Sequence, residues 1–141
     1  MNTTTDMPRE PVQARKVTDA RERLECLPRH FGRHQLIVED AVYAFMRHLC
    51  AEYTGGFWHY FELSNGGFYM APDGQRLKVR VSGNGFSGEM SAEAAGITAC
   101  LFALSHLSFQ IRTEVISNHF YQLREFVLEH QERRAILAAI D

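Results

Sequence analysis

The sequence predicts a single α+β domain, and three observations carry that class. A helical stripe runs through residues 35–53, short aromatic and alternating runs fill 57–81, and a segment from Ala92 to Leu107 is apolar on nearly every side. The expected architecture is a three-stranded antiparallel meander packed with four to five helices. It is preceded by a disordered N-terminal tail over residues 1–17, with the folded domain spanning 18–141. The tail carries three consecutive threonines, two prolines and few apolar side chains. Thr18 caps a short helix from about Asp19, with Ala20, Leu24 and Leu27 at helical spacing and an end near Pro28. From Gln35 to Tyr53, the stripe Val38, Val42, Phe45, Leu49, Tyr53 defines an amphipathic helix that Gly55-Gly56 stops.

The period then changes. Phe57 to Leu63 is aromatic and β-prone, Ser64-Asn65-Gly66-Gly67 supplies a turn, and Phe68-Tyr69-Met70 forms a second strand. Pro72-Asp73-Gly74 turns the chain again into Leu77 to Val81, which alternates apolar and polar. Loops this short permit only antiparallel pairing. Ser91 caps the apolar helix Ala92–Leu107, which must be covered on most sides. A last helix runs from about Thr113 to His130 on the stripe Ile116, Phe120, Leu123, Val127, and residues 131–140 continue it or add a final turn.

Composition narrows the function. Fifteen Lys+Arg against seventeen Asp+Glu give a net charge of −2, and only two lysines, Lys16 and Lys78, are present. A nucleic-acid binder needs a dense basic footprint to release counterions, and no basic run here exceeds a pair. A protein imitating duplex DNA would need the opposite, one negative charge per ~1.7 Å of axis. An excess of two acids cannot reproduce that field. Cys26, Cys50 and Cys100 make no CxxC pair, no H-E-x-x-H or G-x-S-x-G occurs, and the start holds no apolar signal core. These patterns point to a cytoplasmic, non-enzymatic protein with no catalytic residue, no metal site and no cofactor. Glu62 could serve as an acid or base only if buried beside a partner; a solvent-facing strand residue is the plainer reading.

Two features invite a ligand or partner. Gly83-Asn84-Gly85-Phe86-Ser87-Gly88 fits G-x-G-x-x-G between a strand and a helix, but the second parallel strand of a dinucleotide unit is missing. Phe57, Trp58, Tyr60, Phe61, Phe68 and Tyr69 crowd one stretch that lacks Lys and Arg, unlike a base-stacking platform. If exposed, Trp58 and Tyr60 are interface anchors; if the tail or last helix covers them, they are core. The expected docking face comprises Trp58, Tyr60, Asn65 and the Asn84–Phe86 connection. A nucleic-acid or nucleotide-binding module using these strands or glycines is the alternative function.

The string from Tyr53 to Pro72, YTGGFWHYFELSNGGFYMAP, closely resembles the signature of the plasmid antirestriction family of the ArdB/KlcA type, nearest its KlcA branch. Leu27–Gly32, Met90–Ile97 and Leu104–Leu107 resemble further blocks of that family in the same order, from about Val17 to the C-terminus. The resemblance implies a small α+β protein of conjugative plasmids that relieves type I restriction of incoming DNA in a bacterial host. It supplies no catalytic residues. With the near-neutral charge, it implies an indirect or protein-contact mechanism, with a type I restriction system or a host factor as partner, no membrane and a monomeric chain.

Overall fold

The computed structural model describes residues 10–141. The tail expected over 1–17 lies partly outside that range, but its last four residues are a strand, β1 (Ala14–Val17). Val17, the last apolar side chain before the first helix, is buried there. The chain continues as α1 (Ala20–Phe31), a 3₁₀ turn (Gly32–His34), α2 (Gln35–Leu49), β2 (Trp58–Leu63), β3 (Phe68–Pro72), β4 (Arg76–Val81), β5 (Phe86–Ser91), α3 (Ala92–Gln110), α4 (Glu114–Val127) and α5 (Arg133–Ile140). The class is α+β, as expected.

The sheet differs from the expected meander. It has three strands in the order β1-β2-β3, all antiparallel, with Ala14 opposite Leu63 and Tyr60 opposite Met70. Arg76–Val81 does not join it. That strand turns back on β5 as a separate hairpin, Val81 opposite Phe86 and Arg76 opposite Ser91. The glycines between are therefore a hairpin turn and a strand rather than a strand-to-helix connection. Gly85, at φ 76°, takes the left-handed conformation that the turn requires.

Asp19, not Thr18, caps α1, its carboxylate accepting the Glu22 N–H at 3.1 Å. Pro28 lies inside α1 instead of ending it, and the helix stops at Gly32, whose φ is 54°. A proline here removes the hydrogen bond to the carbonyl of Leu24, four residues earlier. Leu24 is 81% exposed, on the outer side where water can serve that carbonyl, and it does not join the core stripe. The stripe is Cys26, Leu27 and Phe31. The second helix ends at Leu49, before the glycines, and its buried stripe is Val38, Val42, Met46, Leu49. Ser91 caps α3 as expected, and Thr113 caps α4; each accepts a first-turn N–H.

α3 is the axis of the core. It is long and apolar enough to cross a membrane, yet it is buried among the other elements, as its lack of a polar face demands. It crosses β3 so closely that a Cβ on Gly96 would lie 2.5 Å from the Ala71 Cα and 2.7 Å from the Met70 oxygen. All five residues of β3 are buried. Phe68 meets Phe31 and His30 on the α1 side, while Tyr69 stacks between Phe61 and Phe126. The aromatic density thus serves a sheet covered on both faces.

Candidate functional site

The expected docking face does not form. Trp58 is 5% exposed; its Nε1–H donates to the Tyr53 hydroxyl at 2.8 Å, and its ring meets Tyr43 edge-on. Tyr60 is half-buried against Phe68, with the Arg23 guanidinium 4.7 Å over its ring. Asn65 is a turn brace: its Oδ1 accepts the Gly67 N–H, and its Nδ2 donates to the Gln122 carbonyl and to Glu125. Asn84 holds its own turn through the Phe86 N–H and reaches the Ala139 carbonyl of α5 at 2.9 Å. Phe86, half-buried, lines a cleft of about 660 Å³ between the end of α2 and the β4–β5 hairpin, together with His48, Lys78 and Arg80. The five residues therefore do not share one surface: Trp58 and Asn65 lie at opposite ends of β2, and Asn84 and Phe86 belong to the β4–β5 hairpin. The Asn84 link joins hairpin and last helix, so Asn84→Ala should lower stability by about 1 kcal/mol, read as a shifted urea midpoint at unchanged slope.

A different set of polar side chains is brought together. Glu62, on β2, projects under α1 and is largely covered. Its Oε1 accepts from Arg15 of β1 at 2.7 Å; its Oε2 accepts from Arg29 at 2.8 Å and faces His30 Nε2 at 2.7 Å. The Cys26 Sγ, fully buried, lies 3.9 Å from the same Oε2. Cys26 and His30 are four apart on α1 and so share a face, which depends on the helix passing through Pro28. His119 of α4 completes the set, its Nε2 3.0 Å from His30 Nδ1 and its own Nδ1 2.8 Å from the Val115 carbonyl. Two helices remote from each other in sequence, α1 and α4, are thereby tied to the sheet, and β1 is braced against β2.

Electrostatics defines what this cluster can do. Burial works against ionising Glu62, but hydrogen bonds from Arg29, His30 and Arg15 outweigh it and hold the carboxyl at about 2. Burial, with the Glu62 charge adding to it, pushes the Cys26 thiol up to about 11. His119 is pushed down by burial and by neighbouring His30. An acid that stays ionised and a thiol that stays protonated near neutrality are a poor general acid and a poor nucleophile. As an ion-pair knot, the cluster binds α1, β1 and α4 to β2.

A pH dependence follows. The folded carboxyl lies below the ordinary 4.5, so Glu62 stabilises the fold fully above 4.5 and loses that contribution as pH falls toward 2. Urea midpoints measured in chelator should fall through that window in the wild type and fall less in Glu62→Gln.

The other polar cluster lies across α3. Tyr69 donates to Glu93 at 2.7 Å, and His130 Nε2 stands 3.1 Å from the other Glu93 oxygen. Ser91 donates its hydroxyl and its N–H to Glu132, while its Oγ accepts from Ala94. The α3 N-terminus is thus closed by protein groups.

Comparison with known proteins agrees with this architecture. A model of the antirestriction protein family matches residues 51–141. The antirestriction protein KlcA of Escherichia coli is 46% identical over 138 residues, covering 94% of this chain and 96% of that protein. The chain belongs to the antirestriction protein family. The uncharacterized protein YfjX of Escherichia coli K12 is 41% identical over 81% of this chain and 78% of its own length. A solved structure from work on KlcA and ArdB superposes with a TM-score of 0.85 at 46% identity, covering both chains completely. That work describes a novel fold and antirestriction activity against type I DNA restriction systems in vivo but not in vitro. In family terms, the recognisable string from Tyr53 to Pro72 is the β2–β3 hairpin with the approach to it.

Proposed function

We propose that this protein relieves type I restriction of incoming DNA in the bacterial cytoplasm, without catalysis and without imitating DNA. The observation that carries the reading is the full-length match to the KlcA and ArdB fold at 46% identity. Charge supports the mechanism: a net −2 spread over 141 residues offers no duplex-like field to an enzyme's DNA groove. The action is indirect or through protein contacts, with a component of the restriction system or a host factor as partner. Carriage on a conjugative plasmid and a monomeric chain belong to the same reading.

The test pairs a cellular assay with a purified one. Expression in a restricting host should raise the transformation efficiency of unmodified DNA, while pure protein should leave the purified restriction enzyme active. Strong inhibition in vitro that competitor DNA reverses would overturn the mechanism, and absence of protection in cells would overturn the function. The nucleotide-binding alternative has lost its glycine route, since those residues form a hairpin. Titration with duplex DNA, single strands and nucleotides at moderate salt should show no saturable micromolar binding.

A further inference from the structure

The contacts around His30 aim its Nε2 at a Glu62 oxygen 2.7 Å away, a gap that holds either a proton or another cation. The Val115 carbonyl can only accept, so His119 Nδ1 carries a hydrogen and, in the neutral ring, its Nε2 presents a lone pair. That lone pair accepts from His30 Nδ1–H at 3.0 Å. In a neutral His30 the remaining Nε2 is then a lone pair, aimed at a carboxylate oxygen 2.7 Å away. Two lone pairs at that distance repel, so a positive charge must sit between them, either a proton or a metal ion. The Cys26 sulfur opens onto the same point: Cys26 Sγ, a His30 ring nitrogen and a Glu62 oxygen all lie within 4.8 Å of one another.

We propose that Cys26, His30 and Glu62 form a site for a borderline-soft divalent cation of the zinc class. One sulfur, one imidazole nitrogen and one carboxylate oxygen are the donor types such an ion takes, and bonds of about 2.0–2.3 Å place tetrahedral ligands roughly 3.3–3.7 Å apart. His30 and Glu62 must separate slightly from 2.7 Å, and Cys26 must approach Glu62 slightly from 3.9 Å. The outer contacts that a metal site uses are in place. His119 fixes the His30 tautomer, and Arg15 holds Oε1, the Glu62 oxygen that the ion does not need. Arg29 is the competitor for Oε2; its half-exposed side chain is free to swing into solvent as the ion enters. The ion displaces the thiol proton and the proton shared by His30 and Glu62, and it leaves a fourth position for water. It would crosslink α1 to β2.

Cobalt(II) is the probe. Chelator-stripped full-length protein should take up one equivalent, with a sulfur-to-metal charge-transfer band and strong visible bands of four-coordination. Zinc should displace it. Cys26→Ser should abolish the band, while Cys50→Ser, altering a buried cysteine outside the cluster, should leave it. His119→Gln should weaken binding by ~10–100-fold, and Arg29→Ala should tighten it by removing the competitor. No stoichiometric uptake by the wild type, or a band that survives Cys26→Ser, refutes the site. The wild-type titration decides the matter even if a variant fails to fold, and binding unaffected by Arg29→Ala and His119→Gln overturns the proposed geometry.

Discussion

Gly96→Ala is expected to destabilise the protein by about 3 kcal/mol, although alanine is the better helix former by about 1 kcal/mol. The added methyl would lie 2.5 Å from both the Cα and the Cβ of Ala71 and 2.7 Å from the Met70 carbonyl oxygen. Those are mostly backbone atoms of a strand buried at every position, so no flexible side chain can yield. The helix would have to lift from β3, loosening Cys100, whose Sγ lies 3.4 Å from the Met70 carbonyl oxygen. Denaturant unfolding of Gly96→Ala against a solvent-face alanine control on α2 measures the effect. A variant as stable as the wild type would show that α3 and β3 can separate at little cost.

Trp58→Ala is the second large effect, with an expected loss of about 3–5 kcal/mol. The indole is buried, packs edge-on against Tyr43 and Tyr53, and satisfies its N–H on the Tyr53 hydroxyl. Truncation empties that volume and leaves the Tyr53 hydroxyl without its donor. Trp58→Phe should recover most of the packing and lose only the bond, about 1 kcal/mol. Antirestriction in cells should track the melting transition of both variants. Loss of protection at an unchanged transition would instead make Trp58 a contact residue, contrary to its burial.

Much of the helical frame was legible because its signals are local. Ser91 and Thr113 are caps followed by periodic apolar residues, and α3 lacks a polar face, which forces it inside. Where pairing decides, local reading fails. Phe86–Ser91 contains two large apolar residues, one glycine and two serines, so it has little strand character until Arg76–Val81 lies beside it. Ala14–Val17 offers only Val17 to the core and becomes a strand because β2 has an open edge. The Cys26, His30, Glu62 and His119 cluster was missed for a related reason. Its one sequence signal is the four-residue spacing of Cys26 and His30, and Pro28 between them hides the helix that gives it meaning. The aromatic string Phe57–Tyr69 identified the family readily, yet its role was ambiguous, since exposure depends on which helices cover the sheet.

The pairing of Ala14 with Leu63 and of Val17 with Tyr60 sets an order of events during synthesis. β1 leaves the ribosome ahead of everything else in the fold, but its hydrogen-bonding partner appears only after α1, α2 and the loop beyond them have emerged. Closing so long a stretch of chain is entropically slow. Nascent chains halted before Leu63 should therefore carry residues 14–17 in a protease-sensitive state. Resistance there should arise only once β2 has cleared the exit tunnel, so the first of the described strands to be translated waits for the second before it is secured.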